Sequence, residues 1–338
     1  MKKSILIVEV NWIGDVLFST PFIRAVREAH PDDYIACLVH PRCKEILEDN
    51  PRLDEIIIYD EEGAHKGLVG KIKLIAHLRK KNFDTAFLLH RSFTKALVAK
   101  LMGAKKIIGY PTKKRAILLT SPVEEPWGDA HKVEYFLNIA RSAGIGTNSV
   151  SYEFFVKDSD RIFAEKLLGS NGINSSDKVV VLCPGGNWGP KRWPKENFAR
   201  LADELADKFG AKIIISGTGK EAALAEDIRN MMKYAPVIIC GKTTLKQLAA
   251  VFERARLVIA NDTGTMHLAV AMKARTIALF GPTSPKITGP YGEGDYRVIF
   301  KNEACDVPCY DMTCKDNRCM AAIKVEDVFK KAEEVFKR

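Results

Sequence analysis

The sequence predicts an α/β protein of two doubly wound sheets facing each other across a cleft, and three observations predict it. Short apolar runs alternate with helical patterns along most of the chain, which implies parallel strands joined by crossover helices. The 338 residues are too many for one ordinary core and suit two domains of roughly 100–200 residues each. The polar stretch GIGTNSVS at 144–151 separates one alternating series from the next. The expected divisions are 1–150, 151–322 and a closing helix within 323–338.

In the first series, Ser4 to Val10 is a β-branched apolar run and reads as the first strand, with a helix from about Phe18 to Ala29. Strands follow at Tyr34 to Val39 and Glu55 to Tyr59, then a basic helix around Lys71 to Lys81. The strand Thr85 to Leu89, a helix near Thr94 to Met102 and the strand Lys106 to Ile108 complete it. The second series opens with a helix over Ser159 to Leu168 and the strand Val179 to Cys183. It continues with helix Lys195 to Phe209, strand Lys212 to Ser216, helix Glu221 to Met232 and strand Val237 to Cys240. Helix Leu245 to Glu253, strand Leu257 to Ala260, helix Met266 to Met272 and strand Thr276 to Phe280 follow, and the last helix spans Val325 to Phe336.

With 46% hydrophobic and 28% charged residues the composition is globular, without low-complexity tracts or repeats. The amino-terminal apolar run is too short for a signal peptide, and no stretch approaches the roughly 20 apolar residues that span a bilayer. A cytoplasmic protein with at most peripheral membrane contact is the expectation. The net charge of +10 is unevenly placed: residues 64–123 hold fourteen Lys and Arg against one acid, Asp84. Such a block attracts nucleic acid, an anionic membrane or a polyanionic substrate. Cys305, Cys309, Cys314 and Cys319 crowd near the carboxyl end with three, four and four residues between them. That is not the C-x2-C pairing of common zinc sites, and it points to a local structural loop, reduced or weakly metal-binding.

Ligands of open α/β sheets bind beyond the carboxyl ends of the strands, so the loops there carry the candidate chemistry. After the first strand comes Asn11-Trp12-Ile13-Gly14-Asp15, where Asp15 is either a general base or the cap of the next helix. The loop PGGNWGPKRWP at 184–194, with Gly186, Asn187, Lys191 and Arg192, suits an anion because glycine amides and adjacent cations can reach phosphate oxygens. A plain glycine turn with interface tryptophans fits the same residues. In NDTGTMH at 261–267, the small residues Thr263, Gly264 and Thr265 leave a helix N-terminus bare for pyrophosphate. Asp262 can orient the loop and His267 lies one turn in, although a core histidine is the plainer reading of His267 alone. Glu221 follows the glycine turn Gly217-Thr218-Gly219, placed either for a ribose or simply for the helix dipole, and Gly281-Pro282-Thr283-Ser284-Pro285 is a further loop on the same edge.

Taken together, NWIGDVLFSTP at 11–21, PGGNWGPKRWP at 184–194 and NDTGTMHLA at 261–269 resemble the ADP-heptose:lipopolysaccharide heptosyltransferases of glycosyltransferase family 9. The resemblance spans nearly the whole chain. The motif forms and the Pro308-Cys309-Tyr310 tail are closer to the heptosyltransferase II type. It implies two Rossmann-like domains in the GT-B arrangement, with the closing helix returning to the N-terminal domain. It implies Asp15 as general base and a donor site of Gly186, Asn187, Lys191, Glu221, Asp262, Thr263, Gly264, Thr265 and His267. Thr243 is the candidate by position for packing the adenine.

The resemblance further implies an inverting transfer of L-glycero-D-manno-heptose from ADP-heptose to the lipopolysaccharide inner core, with no cofactor and no metal. The basic segment then offers Lys66, Arg91, Lys95, Lys113, Lys114 and Arg115 to an anionic lipid A-core acceptor. The expected setting is a monomer at the inner face of the cytoplasmic membrane of a Gram-negative-type bacterium. Two rival readings are a nucleotide-sugar epimerase of the same architecture and a nucleic-acid-binding protein. The second lacks any helix-turn-helix, zinc-finger or RNA-binding aromatic motif.

Overall fold

The computed structural model describes residues 2–112, 114–126, 128–301, 305–309 and 311–337. The chain divides into two compact units, Met1–Phe155 and Val156–Arg338. In the first unit the elements run β1 (Ser4–Val8), α1 (Ile13–Ala29), β2 (Tyr34–Val39), α2 (Lys44–Leu47), β3 (Glu55–Ile58), α3 (Leu68–Lys80) and β4 (Thr85–Leu88). Then come α4 (Phe93–Leu101), β5 (Lys106–Gly109), β6 (Ser121–Pro122) and α5 (Lys132–Ser142). The second unit runs α6 (Asp158–Ser170), β7 (Val179–Cys183), α7 (Lys195–Phe209), β8 (Lys212–Ile215), α8 (Ala222–Met231), β9 (Val237–Ile238) and α9 (Leu245–Arg254). It continues with β10 (Leu257–Asn261), α10 (Gly264–Ala271), β11 (Thr276–Phe280), α11 (Pro285–Thr288), β12 (Tyr296–Phe300), α12 (Arg318–Ala321) and α13 (Val325–Phe336).

Each unit holds one sheet, ordered β3-β2-β1-β4-β5-β6 in the first and β12-β11-β10-β7-β8-β9 in the second. All of these pairings are parallel. The two orders are the same doubly wound order, which reverses direction between β1 and β4 and again between β7 and β10. That reversal is where such sheets hold ligands. Helices cover both faces, so the central strands are buried throughout: VVVLC of β7 and LVIAN of β10 are fully enclosed.

The helices follow their apolar spacing. In α7 the residues Phe198, Leu201, Ala202 and Leu205 are buried at helical intervals, and Gly210 closes the helix at φ 65°. In α9 the Thr244 hydroxyl accepts the Gln247 amide at 3.2 Å, while the Gln247 side chain accepts the Thr244 amide at 3.0 Å. Among the described residues no helix is long and apolar enough to cross a membrane.

Four differences from the sequence reading stand out. Helix α1 begins at Ile13 rather than near Phe18, because Trp12 takes extended backbone at φ −116°, ψ 140° and starts the helix itself. Helix α5 and strand β12 were not anticipated. The closing helix α13 is part of the second unit. Its Val325, Val328, Ala332 and Val335 are buried in the second unit's core, where it packs against α7, β11 and β12.

Candidate functional site

The end of β1 sets the geometry in the first unit. Asp15 lies in the first turn of α1 and is half-buried. The N-cap position belongs to Trp12, which makes no side-chain capping bond, so the reading of Asp15 as the cap is corrected. A carboxylate in that turn still lies in the favourable field of the helix N-terminus. Just past the end of β1, Glu9 is fully buried, accepting the Ser19 hydroxyl at 3.0 Å and the Val10 amide at 3.3 Å. Burial pushes the Glu9 carboxyl up to about 7, with the Ser19 bond, the Val10 amide and the Lys95 charge pulling back and the Asp15 charge adding to the rise.

Lys95 on α4 locks this loop. Its Nζ donates to the Glu9 carbonyl at 3.0 Å and to Asn11 Oδ1 at 2.6 Å, and the Glu61 carboxylate lies 3.6 Å away. The residue is only 2% exposed, and burial lowers the pKa of its amine. The sequence reading sets Lys95 among the cations offered to the acceptor. It is an internal strut instead.

Arg115 is corrected in the same way. It is fully buried and donates to the Tyr110 carbonyl at 2.6 Å and to the His90 carbonyl, tying the segment after β5 to the end of β4. Of the other acceptor candidates, Lys66 and Lys114 are exposed, and Arg91 pairs with Glu125 at 3.1 Å. Lys113 lies outside the described residues.

In the second unit the loops after β7, β8, β9, β10 and β11 are joined by direct contacts. Glu221 staples two of them: Oε1 accepts the Gly186 amide at 2.8 Å, and Oε2 accepts the Thr218 amide at 2.7 Å and hydroxyl at 2.9 Å. A Cβ on Gly185 would sit 1.9 Å from Glu221 Oε1, so only glycine lets the carboxylate reach. Gly186 itself has φ 155°, and its carbonyl accepts the Arg192 guanidinium at 2.6 and 2.9 Å. Arg192 thus holds the loop shut. The β9 loop joins at Gly241, where a Cβ would lie 2.9 Å from Gly219 Cα, and Thr243 stands half-buried just beyond it.

Asp262, 5% exposed, is the hub of the other two loops. Its Oδ2 accepts Lys191 Nζ and the Thr283 hydroxyl, both at 2.6 Å, and its Oδ1 lies 3.9 Å from His267 Nε2. Lys191 also rests over the Trp188 ring at 5.1 Å. Thr263 begins α10 without a side-chain cap, its hydroxyl meeting that of Thr265 at 2.8 Å. The first amides of this eight-residue helix are therefore left without a side-chain cap. A Cβ on Gly186 would lie 3.2 Å from Thr263 Cγ2, which shows how closely the two loops approach. Asn187 is exposed on the rim.

Sequence reasoning missed three supports. Thr283 fixes the Asp262 carboxylate. Asn261 donates to the Pro184 and Gly185 carbonyls at 2.8 and 3.2 Å and accepts the Trp193 amide at 3.2 Å. The Trp193 indole in turn donates to the Ile323 carbonyl at 2.9 Å. A buried asparagine at the end of an apolar strand was the visible signal for Asn261, and Thr283 lay in the Gly281 to Pro285 loop already placed on the same sheet edge.

The four late cysteines line one cavity of about 50 Å³ together with Pro190 and Pro282. All eight cysteines are free thiols, and burial raises that of Cys319. Among the described residues no three His, Cys, Asp or Glu side chains gather as metal ligands. Tyr310 of the tail motif lies outside the described residues.

Glycosyltransferase family 9 (heptosyltransferase) matches over residues 71–319, and the chain belongs to that family. It is similar to lipopolysaccharide heptosyltransferase 2 of Escherichia coli K12, 27% identical over 304 residues and 85% of each chain. The glycosyl transferase family 9 structure from Veillonella parvula superposes with a TM-score of 0.90 at 24% identity, covering 99% of this chain and 98% of that one. The E. coli heptosyltransferase WaaC, solved with ADP, shares the fold at a TM-score of 0.76 and 20% identity, over 98% and 99% of the two chains.

Proposed function

We propose that this enzyme transfers L-glycero-D-manno-heptose from ADP-heptose to an inner-core lipopolysaccharide acceptor, with inversion at the anomeric carbon. The observation that carries the reading is the cluster at the second switch point: the uncapped α10 N-terminus, the Gly186 loop and the Lys191–Asp262–Thr283 contact converge where a diphosphate would lie. The relatives' names supply the sugar and the acceptor.

The reaction is a single displacement. An acceptor hydroxyl oxygen attacks the anomeric carbon, the bond from that carbon to the diphosphate oxygen breaks, and ADP leaves with the electron pair. Asp15 takes the hydroxyl proton. Lys191 and the α10 amides neutralise the charge growing on ADP. Glu221 and Thr243 flank the nucleoside, the first accepting a ribose hydroxyl beside the loop amides it already holds. Met1–Phe155 then serves the acceptor and Val156–Arg338 the donor. Exposed Lys66 and Lys114 draw in the anionic acceptor, met at the inner face of the cytoplasmic membrane.

The test is incubation with ADP-heptose and a heptose-truncated lipopolysaccharide, following ADP release and acceptor mass. Release of ADP with a gain of one heptose on the acceptor is expected. A changed donor with an unchanged acceptor would reject transfer in favour of epimerisation.

A further inference from the structure

Most large apolar side chains of the first unit are enclosed, but three on one helix face are not. Leu68, Val69 and Ile72 at the start of α3 are 76%, 67% and 55% exposed, while Leu74 and Leu78 on the other side of the same helix are buried. At about 100° per residue, Leu68, Ile72, Ala76 and Val69 fall within one arc of roughly 100°, with Lys73 and Lys80 along its border. Ala76, Lys73, Lys80 and the preceding Lys66 are all exposed. The ammonium groups of these three lysines enter no ion pair among the described residues.

The nearby acids are already engaged. Asp60 accepts the Gly63 and Ala64 amides at 2.9 and 3.1 Å, Glu61 faces Lys95, and Glu62 pairs with Arg42 at 3.4 Å. The same Asp60 bonds close the turn before α3, and a Cβ on Gly70 would lie 2.4 Å from the Ala64 carbonyl oxygen. The exposed stripe is therefore presented on a firmly packed turn.

We infer that the first two turns of α3 form a membrane-docking wedge, with Leu68, Val69 and Ile72 entering the headgroup region of an anionic bilayer and Lys66, Lys73 and Lys80 meeting its phosphates. An apolar arc bordered by cations is the pattern of an interfacial helix. A second copy of the chain fits less well, since pairing the stripe with itself would oppose lysine to lysine. The inference deepens the reading above by naming the surface on which a lipid-linked acceptor is met.

The experiment is vesicle co-sedimentation of the full chain at physiological salt, comparing phosphatidylcholine vesicles with phosphatidylcholine–phosphatidylglycerol vesicles. Wild type is expected to partition at least tenfold more strongly to the anionic vesicles. Replacing Leu68, Val69 and Ile72 together by Gln, or Lys73 and Lys80 together by Glu, should remove most of that gain with thermal unfolding and ADP binding retained. Val69→Trp, which keeps an apolar side chain, should show blue-shifted emission only with anionic vesicles. Equal partitioning of wild type to both vesicles, unchanged binding of the triple variant, or a concentration-dependent dimer that the triple variant abolishes would each overturn the wedge. Transfer to a deacylated, soluble acceptor separates the two proposals: its absence in wild type sinks the heptosyl reading alone, and its persistence in a variant that no longer sediments supports docking.

Discussion

Lys191 Nζ lies 2.6 Å from Asp262 Oδ2, the same carboxylate oxygen that accepts the Thr283 hydroxyl. Three loops thus meet on one atom, and the cation proposed for the leaving diphosphate is parked on an internal counterion until an anionic donor competes for it. Lys191→Ala is expected to lower kcat by about 10²-fold or more, the scale of losing one electrostatic stabiliser of developing charge. Steady-state kinetics with saturating acceptor measures it. An unchanged kcat would remove Lys191 from the leaving-group site.

Asp15→Asn keeps the size of the side chain in the first turn of α1 and removes its basicity. Turnover is expected to fall by about 10²- to 10⁴-fold, the usual contribution of a general base, while ADP affinity by calorimetry stays within about twofold. Normal turnover in this variant would end the base assignment.

Glu9 gives a stability signature opposite in sign to that of a salt-bridged carboxylate. Its native carboxyl titrates near 7, above the ordinary value of 4.5. Below pH 4.5 both folded and unfolded chains hold the proton. Between 4.5 and about 7 the unfolded chain releases it while the folded one retains it, so stability falls as pH rises, by about 3 kcal/mol in all. Denaturant unfolding of wild type and Glu9→Gln at pH 5 and pH 8 checks this: the variant should lose that part of the decline.

Gly185→Ala puts a methyl where the Glu221 carboxylate now sits. The flexible end of Glu221 must move, forfeiting its bonds to Gly186 and Thr218, at about 1–3 kcal/mol. ADP binding should weaken roughly tenfold with the fold intact, read by calorimetry and melting temperature together. Wild-type affinity in this variant would show that the Glu221 staple does not shape the donor loop.

With Lys95 and Arg115 committed inside the protein, the salt response rests on the exposed cations. The acceptor KM is expected to rise with ionic strength between 50 and 300 mM salt, given a Debye length of about 10 Å at 0.1 M, while the donor KM rises less. A flat acceptor KM would reject electrostatic recruitment.

The alternating apolar runs made the two parallel sheets legible, because a strand covered on both faces must be apolar throughout, as β7 and β10 are. Edge elements were harder. β12 buries only Ile299 and carries Arg297, so its pattern is weak. Helix α5 was readable in principle, with Val133, Phe136, Leu137 and Ala140 at helical spacing. At the site, glycine loops and small residues marked where backbone had to be open, and those positions converge. Charge was the poor guide: fourteen cations in one segment read as one block offered to an anionic partner, yet Lys95 and Arg115 had internal carbonyls to satisfy. Nothing in residue type distinguishes a lysine that binds from one that braces.

The order of the strands also bears on how the molecule is made. β1 lies between β2 and β4, and β7 between β8 and β10, so the earliest strand of each sheet is an interior one. A nascent chain leaving the ribosome has its template ready from the outset, and each later strand adds to one flank or the other. The rim strands β6 and β12 arrive last, so the amino-terminal half can complete its own layer before the carboxyl-terminal half emerges.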